Sequence, residues 1–186
     1  MDENPFKNKS PKPDTPQGSA QEKLDVRVEI ATEKDWETYK AIHLLAINGK
    51  DAEMFGITLG NIEKKREEAE NNQKYKEDLE NNEVIVFLLW QGNESIGIIR
   101  AKKREEEGVW YLSYAYVKED SRGKAFSRKI FSEILNEIKK QGAIKVLMGV
   151  KVKNKKMIRL ATLLGFKKVE ADSSDEGFYM ELYLEK

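Results

Sequence analysis

Residues 110–128 read WYLSYAYVKEDSRGKAFSR. Residues 109–117 are dense in aromatic and branched side chains, which predicts a central strand ending at Val117. A polar turn follows, then Arg122-Gly123-Lys124-Ala125. The spacing then turns helical over 124–140, with Ile130, Phe131, Ile134, Leu135 and Ile138 on one side and Gly142 placed as the C′ residue. A helix N-terminus offers free amide N–H groups and a partial positive charge. A turn of mostly small residues lets a phosphate approach those amides, and Arg122, Lys124 and Arg128 add charge. The pattern is anion capture directly after a central strand. It is not a P-loop, because GxxxxGK[ST] is missing. It is not a dinucleotide fingerprint, because Ala125 and Ser127 stand where glycines would be needed. An ordinary strand–helix turn with basic residues remains the alternative on spacing alone.

Reading outward, Val26, Val28 and Ile30 alternate and predict a first strand, with Thr32 as a helix N-cap and Asp35 at N3. Trp36, Tyr39, Ile42, His43, Ala46 and Ile47 recur at helical spacing, and the pattern breaks near Asn48-Gly49. A short connection, DAEMFGIT (51–58), leads to one highly charged helix expected over 61–80. Residues 84–90 (VIVFLLW) are wholly apolar and predict a strand buried on both faces. A strand over 95–104, a strand over 143–152, a helix over 155–164 and a closing hairpin of 167–171 with 178–184 complete the order β-α-α-β-β-β-α-β-α-β-β. Hairpins in the first half and a β-α-β crossover in the second imply a mixed α/β sheet.

The chain has 186 residues and no cysteine, which excludes a disulfide scaffold, a thiolate zinc site and a Cys nucleophile. Its one histidine, His43, excludes a His-pair mechanism and a His-rich metal site. No apolar run approaches the ~20 residues of a membrane span, and no secretory h-region opens the chain. A cytoplasmic protein, with no membrane and no metal, is expected. All four prolines lie in the first 16 residues, so 1–23 is read as a disordered tail and 24–186 as one domain. Net charge is zero, yet residues 118–168 carry a balance of +11 and residues 24–83 a balance of −6. Opposed halves suggest two ligands of opposite sign, although solvated faces would give the same count. Basic residues are not interleaved with aromatics, so no nucleic acid is expected.

Residues 25–186 resemble the GCN5-related N-acetyltransferase (GNAT) family. The resemblance rests on Val117 followed, after Lys118 to Ser121, by Arg122-Gly123-Lys124-Ala125-Phe126-Ser127. It rests also on VKVKN (150–154) followed by LLGF (163–166), with support from DW (35–36) and DAEMFGIT (51–58). It implies an acyl-CoA acyltransferase fold: a mostly antiparallel sheet, two splayed parallel strands (109–117 and 143–152) and helices on both faces. It implies acetyl-CoA as cosubstrate and no metal. The splay would leave main-chain groups of Ala115, Tyr116 and Val117 for the pantetheine arm. Gly123, Lys124, Ala125, Phe126, Ser127 and Arg128 would take the pyrophosphate beside Arg122, and Asn154 would reach the arm or position its loop.

The implied activity is acetyl transfer to a primary amine by direct attack in a ternary complex. The acceptor would be a small cationic amine or a protein or peptide amine, with a homodimer as an option. The acidic 24–83 region is expected to line the acceptor side. Two familiar proton-transfer positions are altered: a Tyr seven residues after the Asn is Ala161 here, and a Glu five residues before it is Gly149. Tyr114, Tyr116, Ser113, Glu29 and His43 are the remaining candidates. For each a packing or solvated role is the competing reading. A catalytically weak acyl-CoA sensor or scaffold is the alternative function, and the 61–80 helix is weighed as a partner-binding element.

Overall fold

The computed structural model describes residues 26–49, 52–55, 58, 60–122 and 127–184. The tail expected over 1–23 lies outside them. Seven strands form one sheet: β1 (Val26–Ile30), β2 (Val84–Gln91), β3 (Glu94–Lys103), β4 (Val109–Val117), β5 (Lys145–Lys151), β6 (Lys167–Ser173) and β7 (Gly177–Tyr183), in the order β1-β2-β3-β4-β5-β7-β6. Neighbours run antiparallel except β4 and β5, which are parallel.

Helices α1 (Trp36–Asn48), α2 (Ile62–Glu70) and α3 (Asn72–Glu80) cover one face of the β1–β4 half. Helices α4 (Ser127–Lys140) and α5 (Lys155–Leu163) cover the other. This sandwich explains the apolar run in β2. Ile85, Phe87 and Leu89 enter the core under α4 and α5, while Val84, Val86 and Leu88 enter the core under α1 to α3. Period-two alternation sends successive side chains to opposite faces, and here both faces are dry.

The entry to α1 is built as its sequence suggests. The Thr32 N–H donates to Asp35 Oδ2 at 2.8 Å, and the Asp35 N–H returns to the Thr32 carbonyl. At the end of α4, Gly142 takes φ +88°, which an L side chain resists. The Ala143 N–H reaches back to the Ile138 carbonyl and the Gly142 N–H to Lys139, closing a Schellman motif.

The single helix expected over 61–80 is two helices. Asn71 leaves the helical region (φ −72°, ψ 107°), and its side chain accepts the Gln73 N–H at 3.0 Å, which caps α3. Helix α3 is tied into the fold through buried Tyr75 and the Asp78 carboxylate. Among the described residues no helix is long and apolar enough to cross a membrane, and no group of three potential metal ligands is found.

Candidate active site

The parallel ladder between β4 and β5 stops early. It pairs Val109 with Lys145, Trp110 with Val146, Tyr111 with Leu147 and Leu112 with Met148. Beyond that rung the strands part, and among the described residues no ladder pair joins 113–117 to β5. β4 stays paired with β3 to Val117, and β5 stays paired with β7 to Lys151. The fork opens into a cavity of about 500 Å³ walled by the second halves of β4 and β5, with Asn154, Phe131 and the start of β7 completing it.

A β-bulge at Ser113 shapes the β4 wall. The register steps from Ala101↔Leu112 to Arg100↔Tyr114, leaving Ser113 extra. Trp110 and Leu112 point into the α4/α5 core before the bulge; Ala115 and Val117 point there after it. Tyr114 and Tyr116 therefore turn to the opposite face, toward α1 and α3. An unbroken strand would have placed them with Trp110. Main-chain groups follow the same phase. The Lys118 N–H donates to the Ile96 carbonyl, so alternation turns Tyr116 and Tyr114 toward β3 and turns Ala115 and Val117 toward the fork. Of the three residues the resemblance assigns to the arm, Ala115 and Val117 face the gap, while the main chain of Tyr116 faces β3.

The Arg122 Nε donates to the Val117 carbonyl at 2.7 Å, and its guanidinium lies 5.5 Å from the Tyr116 ring centroid. Gly123, Lys124, Ala125 and Phe126 lie outside the described residues. Ser127 and Arg128 open α4, where the first-turn amides have no intrahelical acceptor. Asn154 caps α5, its Oδ1 accepting the Met157 N–H at 3.1 Å, and it lines the cavity.

The catalytic candidates separate clearly. Tyr114 and Ser113 line the cavity. Burial pushes the Tyr114 phenol well above the usual tyrosine range, with Tyr116 and Tyr75 adding to the rise. Ser113 Oγ accepts Arg100 Nη1 at 2.9 Å. His43 stands behind Tyr114, with ring centroids 4.8 Å apart, and its Nδ1 lies 3.0 Å from the Tyr75 hydroxyl. His43 and Tyr116 are outside the cavity lining. Glu29 is bound to Arg27 on β1, and β2 and β3 separate it from β4, which is about 14 Å at ordinary strand spacing.

Among the described residues, none of the acidic 24–83 region lines the cavity, and the one carboxylate in the described lining is Glu176, which is bridged to Lys151 at 3.2 Å. The acidic side chains lie instead on β1 and the helices that precede β2. Sequence reasoning missed two cavity tyrosines, Tyr111 and Tyr179. The only available signal was the phase break in WYLSYAYV, where large side chains at 110 and 112 give way to small ones at 113 and 115.

Comparisons with known proteins agree with this geometry. No curated protein sequence matches the chain. Among solved structures, the PaiA N-acetyltransferase from Thermoplasma acidophilum in complex with coenzyme A superimposes with a TM-score of 0.72 at 19% identity, covering 87% of this chain and 100% of that one. The spermidine N-acetyltransferase from Vibrio cholerae in complex with CoA and spermine gives 0.66 at 13% identity, covering 85% and 95%. The ribosomal-protein-alanine N-acetyltransferase from Brucella melitensis gives 0.60 at 19%, covering 85% and 99%. At these identities the likeness shows the fold. The profile of the acetyltransferase (GNAT) family matches residues 52–166, from the helices before β2 to the turn after α5, and the chain belongs to that family.

Proposed function

We propose that this protein moves an acetyl group from acetyl-CoA to a primary amine by direct attack within a ternary complex. The observation that carries the reading is the fork: a ladder that ends at Leu112–Met148 and opens into a cavity of about 500 Å³. Buried main-chain groups need partners. Ala115 presents its N–H and carbonyl, and Val117 its N–H, to a gap that no described strand fills, the Val117 carbonyl being taken by Arg122. An extended, amide-bearing arm is the complementary shape. The α4 first turn, which includes Arg128 and which Arg122 precedes in the chain, suits a diphosphate. Asn154 would stand on the far wall. When bound, acetyl-CoA supplies the activated acyl carbon as a thioester. The chain holds that carbon at the fork, keeps water from it and leaves the opposite face open to an amine.

Among the described lining residues the one carboxylate, Glu176, is already bridged to Lys151, which favours a single amine over a polyamine. An amine on a peptide fits that wall better than spermidine. A second reading, an acyl-CoA sensor with weak turnover, is favoured by Gly149, which carries no side chain, and by Ala161, which is buried away from the cavity.

Calorimetry with acetyl-CoA and CoA tests binding. Free-thiol release then tests transfer to spermidine, kanamycin, an alanine-terminated peptide and a lysine peptide. Binding with peptide turnover is expected. Silence toward both nucleotides would refute the reading, and tight binding without turnover of any amine would favour the sensor.

A further inference from the structure

We propose that the Tyr111 hydroxyl carries the proton during acyl transfer, at the point where β4 and β5 part; this rests on the acetyltransferase reading above. Trp110 and Leu112 face the α4/α5 core, so Tyr111 between them faces the other side of the sheet, the side open to an amine. Its ring leans across β5. The hydroxyl lies 2.9 Å from the point where a Cβ on Gly149 would stand. Gly149 is the first β5 residue past the last rung, and it is exposed. The phenol tip therefore occupies the mouth of the fork, in space that any side chain at 149 would need.

The surroundings keep this phenol in its neutral, proton-donating form. Burial raises its pKa and Tyr179, whose ring centroid is 6.0 Å away, adds to the rise; a main-chain hydrogen bond with Gly149 and the Arg104 guanidinium, 5.8 Å from the ring, oppose it without reversing it. Of the other candidates, Ser113 Oγ is bonded to Arg100, His43 lies behind Tyr114, Glu29 stands on β1, and Tyr114 and Tyr116 pack into the cluster with α1 and α3, whereas the Tyr111 hydroxyl sits against Gly149 at the fork.

The step balances. The amine nitrogen bonds to the acyl carbon as the carbon–sulfur bond breaks. The nitrogen loses one proton and the sulfur gains one. Tyr111 gives its hydroxyl proton to the sulfur and takes the nitrogen's proton in return, so the phenol ends unchanged.

The test uses the full chain and two readouts. With the fastest amine of the panel above, Tyr111→Phe should lower kcat by at least about 100-fold, the lower end of the range for a positioned acid or base, with KM for acetyl-CoA and the melting temperature unchanged. Gly149→Ala should lower kcat in the same direction by displacing the hydroxyl, and the double variant should lose little more than Tyr111→Phe alone. The second readout needs no amine. CoA alone is titrated on the protein and its thiolate absorbance followed. A phenol donating to sulfur favours the thiolate, so the midpoint should lie lower in the wild type than in Tyr111→Phe. A Tyr111→Phe protein that keeps the wild-type kcat or the wild-type midpoint overturns the proposal. If the wild type fails to bind CoA by calorimetry, the acetyltransferase reading itself falls.

Discussion

Arg100 on β3 grips both carboxylate oxygens of Asp78 on α3: Nη2 lies 2.6 Å from Oδ1 and Nε 3.0 Å from Oδ2. The third arm of the guanidinium, Nη1, reaches Ser113 at the β4 bulge. Tyr39 donates to the same carboxylate at 2.9 Å. Burial alone would lower Arg100, but the bond and charge of Asp78 outweigh it and hold the guanidinium above its ordinary value. One ion pair thus ties helix α3, helix α1 and the β4 wall of the cavity together.

Removing one partner of such a pair leaves the other charged and half-buried. Asp78→Ala should cost about 3 kcal/mol of unfolding free energy, read from urea titration. Replacing both, as Asp78→Leu with Arg100→Met, should cost less, because no charge is stranded. Asp78→Ala should also reduce kcat/KM through Ser113. A single variant that unfolds at the wild-type urea midpoint would show the pair to be solvated and structurally idle.

Much of this architecture was legible in the chain. The alternation of Val26, Val28 and Ile30, the apolar run from Val84 to Leu89 and the spacing of Ile130, Ile134 and Ile138 each report a local geometry that burial then rewards. The fork was legible only through family resemblance, because a ladder that stops is a relation between strands. The bulge at Ser113 was hidden for a related reason: which face Tyr114 takes depends on pairing with Arg100 across β3. Tyr111 escaped notice because its meaning depends on Gly149, a partner on another strand that has no side chain to mark it. Asn71 broke a helix that charge patterning alone would have continued, since capping competes with propagation locally.

Tyr39, Tyr75 and Tyr114 are all held above the ordinary tyrosine range, in each case chiefly by burial; Asp78 adds to the first two and Tyr116 to the third. An unfolded tyrosine titrates near ~10, so above that pH the folded state retains protons the unfolded state has lost. Stability is therefore fully present below about pH 10 and falls as pH rises beyond it, by about 1.4 kcal/mol per pH unit for each retained proton. Surface lysines titrate in the same region, so the discriminating measurement is the slope of unfolding free energy against pH in Tyr114→Phe. That slope should be shallower than in the wild type. Identical slopes would mean that Tyr114 ionises in the folded state as it does in the unfolded chain.

Arg122 has two tasks that a single variant would confuse. It pins the end of β4 through the Val117 carbonyl, and it precedes α4 in the chain by five residues, in the segment expected to take the diphosphate. Arg122→Ala should weaken CoA by about 10- to 150-fold, the equivalent of a charge-assisted contact of about 1.5–3 kcal/mol. A pantetheine fragment lacking the diphosphate should lose much less. Equal losses for both ligands in parallel calorimetry would assign Arg122 to the strand end alone.

Ala161 tests whether the position where many family members carry Tyr can be restored here. It is fully buried, packed in the α4/α5 core with Phe166, and its carbonyl accepts the Phe166 N–H at 3.0 Å as α5 closes. A ring there has no path to the cavity without displacing α5. Ala161→Tyr should therefore overpack the core, lower stability by about 1–3 kcal/mol and leave kcat no higher than before. Combined with Tyr111→Phe it should rescue nothing, because its hydroxyl would be trapped on the core side of the sheet while the amine enters from the other. A variant with unchanged melting temperature and a recovered rate would mean that α5 yields easily, and that proton transfer in this protein can be run from either side of the fork.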